Sequence, residues 1–156
     1  MILQRLKLQH FRSYDTASFA FSPKTTLIVG PNASGKTNIL EAIMFCVTGK
    51  SFRADADREA IAWDQDIARI TTQIDATSLE LMLTNGEVGG QKAPLKKYVV
   101  NGVARRMVDF VGNLRAVLFW PEHLELVTDS PSLRRKYLDS VLVQIDREYR
   151  RNLLSY

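Results

Sequence analysis

Gly30-Pro31-Asn32-Ala33-Ser34-Gly35-Lys36-Thr37 fits the pattern G-x-x-x-x-G-K-[ST] at every fixed position. Each fixed residue has a physical reason. Gly30 and Gly35 allow a tight turn in which successive backbone N–H groups point inward at phosphate oxygens. Lys36 is a compact cation with the reach for β- and γ-phosphates, and the Thr37 hydroxyl is a hard oxygen ligand suited to Mg²⁺. Chance alone would bring the fixed positions together in roughly one chain of this length in a few hundred.

The surroundings agree with the motif. Upstream, Leu27-Ile28-Val29 is an unbroken apolar run, which predicts a strand covered on both faces. Downstream, Ile39, Leu40, Ile43, Met44 and Val47 fall at helical spacing, and Gly49 follows as a C-terminal cap. The helix dipole then adds to the same anion site. The expected ligand is ATP with Mg²⁺, held along Gly30, Pro31, Asn32, Ala33, Ser34, Gly35, Lys36 and Thr37, with Thr37 on the metal.

Further out, Leu6 and Leu8 alternate with Lys7 and Gln9, and Phe19 and Phe21 repeat the pattern, so two strands with one buried face are predicted. Ser51 to Asp66 reads as a polar loop with at most one helical turn. Two alternating runs (Ala68 to Ile74, Leu79 to Leu83), the strand-like Tyr98-Val99-Val100, and turn signals at Asn85-Gly86 and Asn101-Gly102 predict an antiparallel β-portion from about Ile67 to Val103. Ala116 to Trp120 reads as one more apolar strand. Ser130-Pro131 opens a long helix, with Ser130 as N-cap and Leu133, Tyr137, Val141, Ile145, Tyr149 and Leu153 along one face. It runs almost to the last residue, so the chain is expected to be truncated.

The chain has 156 residues, 46% hydrophobic and 24% charged, which suits one globular core. One cysteine, Cys46, excludes an internal disulfide and lies in an apolar helix, where it reads as core. No signal peptide or membrane span is found, so the expected setting is the cytoplasm, with no membrane partner. His10 and His123 lack partners at metal-ligand spacing, and Trp63 and Trp120 read as packing residues. The net charge of +4 permits a polyanionic partner without demanding one. Between Val88 and Val108 lie Lys92, Lys96, Lys97, Arg105 and Arg106 and no acid, which makes this stretch the candidate DNA contact, with an ordinary solvated face as the alternative.

Leu6 to Tyr14, followed by Gly30 to Ile43, resembles the N-terminus of ABC-type DNA-repair and chromosome-organising ATPases. Thr48-Gly49-Lys50-Ser51-Phe52-Arg53, Phe119 to Val127 and Ser130 to Asp139 narrow the resemblance to the RecF family of DNA replication and repair proteins, with Trp120 departing from the small residue usual there. The resemblance implies an α/β fold: the first lobe of an ABC-type P-loop ATPase head over residues 1–130, and from 131 to 156 the start of a helical arm leading to a second lobe. It implies DNA binding (single-stranded or gapped duplex), an ATP-dependent homodimer, recombination mediator proteins as partners, a part in the SOS response, and slow ATP hydrolysis. It also implies that Arg12 lies near the bound phosphates; the alternative is a surface arginine at a strand end. Neither a signature motif (LSxGQ-like) nor a Walker B strand ending in Asp-Glu is found, so inefficient hydrolysis is expected of this chain. Alternatives are an SMC-like head, a stand-alone P-loop kinase with Glu122 as its acid, or a DNA-binding module using ATP only as a switch.

Overall fold

The computed structural model describes residues 1–128 and 131–153. β1 (Leu3–Phe11) and β2 (Tyr14–Ala20) form an antiparallel hairpin. β3 (Ile67–Ile74) pairs with the other edge of β1, and β4 (Thr77–Thr84) returns alongside β3 in continuous register, Ile67 opposite Thr84 through Ile74 opposite Thr77. β5 (Glu87–Val88) and β6 (Gln91–Lys92) make a separate ribbon. β7 (Lys96–Val100) and β8 (Val103–Arg105) complete one six-stranded antiparallel sheet in the order β2-β1-β3-β4-β7-β8. Asn101 and Gly102, both at positive φ (50° and 77°), form the tight turn between the last two strands, as the Asn-Gly signal predicts. The predicted β-portion is therefore real, but the N-terminal hairpin belongs to the same sheet.

Period-2 alternation sets what the sheet buries. Leu6 and Leu8, then Ala68, Ile70 and Ile74, then Leu79, Leu81 and Leu83 face inward. Helix α1 (Lys36–Thr48) covers this face through Ile39, Ala42, Phe45 and Cys46, and Phe45 meets Phe11 edge-on at 5.9 Å between centroids. Each fully buried aromatic or leucine here contributes roughly 1.5–3 kcal/mol. Gly49 ends the helix at φ 77°, its N–H donating to the Phe45 carbonyl at 2.9 Å. Burial pushes the Cys46 thiol up to about 12, with the Thr72 hydroxyl working weakly the other way. Cys46 is therefore expected to resist iodoacetamide at pH 8 in the native protein and to react readily in denaturant; rapid native labelling, followed by mass spectrometry, would contradict this burial.

Two predicted strands do not form. Leu27 to Val29 has no strand pairing among the described residues, and Leu27 (82%) and Val29 (78%) are exposed while Ile28 packs on the core. Ala116 to Trp120 behaves alike: Ala116 and Leu118 pack inward, Val117 (74%) and Phe119 (75%) face out. The Ala116 N–H donates to Gln144 Oε1 at 2.9 Å instead of to a neighbouring strand. An apolar run becomes a central strand only when strands flank it and layers cover both its faces, and here only one side has cover. Trp63, read as packing, is 94% exposed on a turn after Ile61.

After the short helices α2 (Met107–Phe110) and α3 (Glu125–Thr128), the predicted single C-terminal helix is two: α4 (Pro131–Ile145) and α5 (Arg147–Leu153). Asp146 causes the break. Its Oδ1 accepts the N–H groups of Glu148 (2.8 Å) and Tyr149 (2.9 Å), the geometry of an N-cap. Arg150 turns back so that its guanidinium donates to the Val143 and Gln144 carbonyls at the end of α4 and to Val108 O at 2.7 Å. Gly112 (φ 93°) lies against that guanidinium, where any Cβ would collide with it. The predicted N-cap Ser130 lies outside the described residues.

Candidate nucleotide site

The loop from Gly30 to Thr37 joins the Leu27–Val29 segment to α1. Ala33 (φ 63°) and Gly35 (φ 93°) both take the left-handed conformation, which lets the chain fold round on itself. At Gly35, already at positive φ, a Cβ would sit 2.7 Å from the Tyr14 hydroxyl and 2.9 Å from its ring, so glycine is required there. At Gly30 a Cβ would sit 2.8 Å from Ser34 Oγ, a hydroxyl that can rotate away. Asn38 N–H donates to Gly35 O at 2.9 Å and seats the first turn of α1. The Lys36 ammonium is folded over the loop, donating to the carbonyls of Gly30 (2.8 Å) and Pro31 (2.6 Å). Thr37 is exposed at the start of α1. These features fit a phosphate chain: backbone room, a cation poised at the mouth, and a free hydroxyl for a hard metal ion. Among the described residues no group of three His, Cys, Asp or Glu could hold a metal.

Behind the loop lies a feature the sequence reading missed. Glu41, one turn after Thr37, is completely buried. Its carboxylate accepts from Arg12 Nη2 (2.6 Å) and Nε (2.9 Å), from Arg53 Nη2 (2.7 Å) and Nε (3.0 Å), and from Ser51 Oγ (2.6 Å). Burial alone would raise this carboxyl, but the hydrogen bonds from Arg12, Arg53 and Ser51 outweigh it and hold Glu41 below its ordinary value. Arg53 Nη2 also reaches Asn38 Oδ1, and Asn38 Nδ2 donates to Ser13 Oγ at 2.9 Å. The network thus ties the first turns of α1 to the β1–β2 turn and to the loop after Gly49.

Arg12, expected near the phosphates, sits at φ 54° in the β1–β2 turn with its guanidinium on Glu41 and its Nη1 on Glu59 O at 2.7 Å. It lines the base of α1 and is no free surface arginine. The basic stretch, contiguous in sequence, is scattered in space. Lys96 points inward, ion-paired with Asp57 and donating to Gly49 O at 2.8 Å. Lys97 points outward, Arg105 lies opposite Tyr98 on the inner side of the sheet's edge, Lys92 is on the separate ribbon, and Arg106 leans on Asp109 at 3.4 Å. A cleft of about 620 Å³, lined by Phe52, Trp120, His123 and Tyr137 among others, lies between the 50–55 loop and α4 and includes none of residues 30–37. Glu122 falls in a 3-10 turn, Pro121–Leu124.

An antiparallel sheet covered by a helix that springs from a glycine-lined phosphate loop is the first lobe of an ABC-type ATPase head. A family profile described as AAA domain matches residues 5–150, and the chain belongs to that family. The resemblance to RecF holds throughout. The chain is 39% identical over 156 residues to the DNA replication and repair protein RecF of Oenococcus oeni, covering 100% of this chain and 41% of that one. It is 38% identical over 161 residues to RecF of Latilactobacillus sakei subsp. sakei, covering 100% and 41%. It therefore spans about two fifths of the length of these curated relatives. A solved structure of the recombination mediator protein RecF-ATP, of the RecFOR pathway, superimposes with a TM-score of 0.85 at 30% identity, covering 98% of this chain and 41% of that one. A structure from work on ATP-driven dimerization of SMC ATPases shares the fold alone, at a TM-score of 0.68 and 22% identity over 90% of this chain and 99% of that one. No helix among the described residues is long and apolar enough to cross a membrane.

Proposed function

We propose that this chain is the ATP-binding part of a RecF-like DNA replication and repair protein, taking ATP with Mg²⁺ along Gly30 to Thr37. One observation carries the reading: Lys36 holds its ammonium on the Gly30 and Pro31 carbonyls, over a loop in which Gly35, at φ 93° against the Tyr14 ring, leaves no room for a side chain. When the triphosphate enters, Lys36 exchanges those carbonyls for phosphate oxygens, the loop N–H groups line the phosphate chain, and Thr37 offers its hydroxyl to Mg²⁺. Arg12 serves by holding Glu41, and through it α1, in place.

The relatives' names, DNA replication and repair protein and recombination mediator protein, support DNA as the partner. We further propose that the DNA is single-stranded or gapped duplex, that two copies pair with ATP and that recombination mediator proteins act alongside in the cytoplasm. Hydrolysis by this chain alone is slow in this reading. Cradling phosphates leaves the attacking water unoriented, and orienting it is a separate requirement of phosphoryl transfer.

Two assays test the reading. Mg²⁺–ATP raises the thermal midpoint while adenosine leaves it unchanged, because recognition lies at the phosphates; an equal shift with adenosine would move the site elsewhere. Steady-state turnover at saturating ATP, with or without DNA, stays below the ordinary enzyme range of about 1–10³ per second. Turnover within that range, lost in Lys36→Ala, would show a catalytic acid in this chain, and Glu122 would be the first to replace.

A further inference from the structure

The face of the sheet turned away from α1 has a composition of its own. The register places Ala20, Ser18 and Thr16 of β2, Arg5, Lys7 and Gln9 of β1, Gln73, Thr71 and Arg69 of β3, and Ser78, Glu80 and Met82 of β4 on it in cross-strand rows. Val99 and Lys97 continue the rows on β7. None of these outward positions is aromatic. An irregularity in β1 between Leu3 and Arg5 brings Gln4 onto the same side, and a depression of about 400 Å³ opens there, lined by Gln4, Arg5, Lys7, Thr71, Gln73 and Ser78. Every one of these six side chains can donate a hydrogen bond and none is acidic.

The acids nearby are already committed. Glu80 pairs with Arg69 at 3.1 Å, and Asp75 with the N-terminal ammonium at 3.4 Å. Arg5, Lys7 and Lys97 have no acidic partner within salt-bridge distance among the described residues. Side chains two apart on one strand lie about 6.7 Å from each other, and each strand crossed adds about 4.8 Å. The free cations are thus spread over a surface rather than gathered into one small anion pocket.

We infer that this outer face, centred on Arg5 and Lys7, is the surface that docks nucleic acid, and that it grips the phosphodiester backbone of a duplex. The inference rests on the nucleic-acid part of the function proposed above, and it moves the contact away from the Lys92–Arg106 stretch. The chemistry selects the occupant. Cations interleaved with hydroxyls and amides match phosphate and sugar oxygens, contacts that position a duplex without reading its sequence. Single strands are gripped largely by stacking bases on aromatic rings, which this face lacks. The lack of large apolar side chains around Arg5 and Lys7 gives a membrane nothing to bury.

Fluorescence anisotropy of the 156-residue chain with a labelled mixed-sequence 20-base-pair duplex, over a salt series, tests the inference. Arg5→Gln/Lys7→Gln is expected to weaken binding and lower the salt slope by about 1.8, at about 0.9 for each of two phosphate contacts. Arg105→Gln/Arg106→Gln is expected to leave the slope unchanged, and a single strand of the same length is expected to bind more weakly than the duplex. Both replaced positions are solvent-facing, so an unchanged thermal midpoint confirms that the variant is folded. An unaltered slope in Arg5→Gln/Lys7→Gln would overturn the inference while leaving DNA binding standing, and a preference for the single strand would overturn the duplex assignment. No duplex binding by the parent chain at any salt, with ATP still stabilising it, would remove the DNA part of the function along with this surface.

Discussion

Glu41→Ala is expected to destabilise the fold by on the order of 3–5 kcal/mol, the cost of removing one member of a buried ionic cluster. The size follows from what is left behind. Arg12 binds both oxygens of the carboxylate and Arg53 binds Oε2 twice, with side chains only 20% and 28% exposed. Without Glu41 the two guanidiniums lose their shared anion and repel each other, and Ser51 loses its acceptor. Glu41→Gln keeps the shape and removes the charge, so it should fall between alanine and the parent. Denaturant midpoints measure all three, and a loss below about 1 kcal/mol for alanine would mean that the cluster adds little net stability, as exposed ion pairs do.

Acid tests the same cluster with a definite sign. The folded Glu41 carboxyl is held below its ordinary value. Its contribution is therefore fully present above the unfolded value of about 4.3, and is lost as pH falls through the folded value. The parent chain should lose stability on acidification below about 4.3 more steeply than Glu41→Gln, which has no carboxyl to protonate there. Parallel curves would show that other carboxylates dominate the acid transition.

That cluster was hidden in the sequence for a physical reason. Arg12 and Arg53 lie 29 and 12 residues from Glu41, and helical periodicity reports only neighbours three and four apart. The one available signal was a glutamate inside the apolar face of α1, beside Ala42 and Phe45. What the sequence showed well was local. The loop, the cap at Gly49, the Asn101-Gly102 turn and the alternating strands each depend on residues within a few positions of one another. The basic stretch is not one patch, because contiguity along a strand is not contiguity in space: Lys96 and Lys97 are neighbours, and the pleat sends them to opposite faces. Leu27 to Val29 and Ala116 to Trp120 did mislead, as strands. Their apolar continuity describes strands with layers on both sides, whereas the described residues cover only one.

Lys36 is proposed to hold the triphosphate in the loop it now closes. Calorimetric titration of ATP in Mg²⁺, with the parent chain and with Lys36→Ala, tests it most directly. A ligand at a hundred times its Kd stabilises the native state by about 2.7 kcal/mol, so a parallel thermal series reads the same site independently. Lys36 is not among the buried residues, and its ammonium donates to the carbonyls of Gly30 and Pro31. The ligand-free variant should therefore melt close to the parent. A clear 1:1 isotherm and a raised midpoint are expected for the parent, with both nearly abolished in Lys36→Ala. Undiminished ATP binding by a folded Lys36→Ala would contradict this role of Lys36 and place the nucleotide outside Gly30 to Thr37.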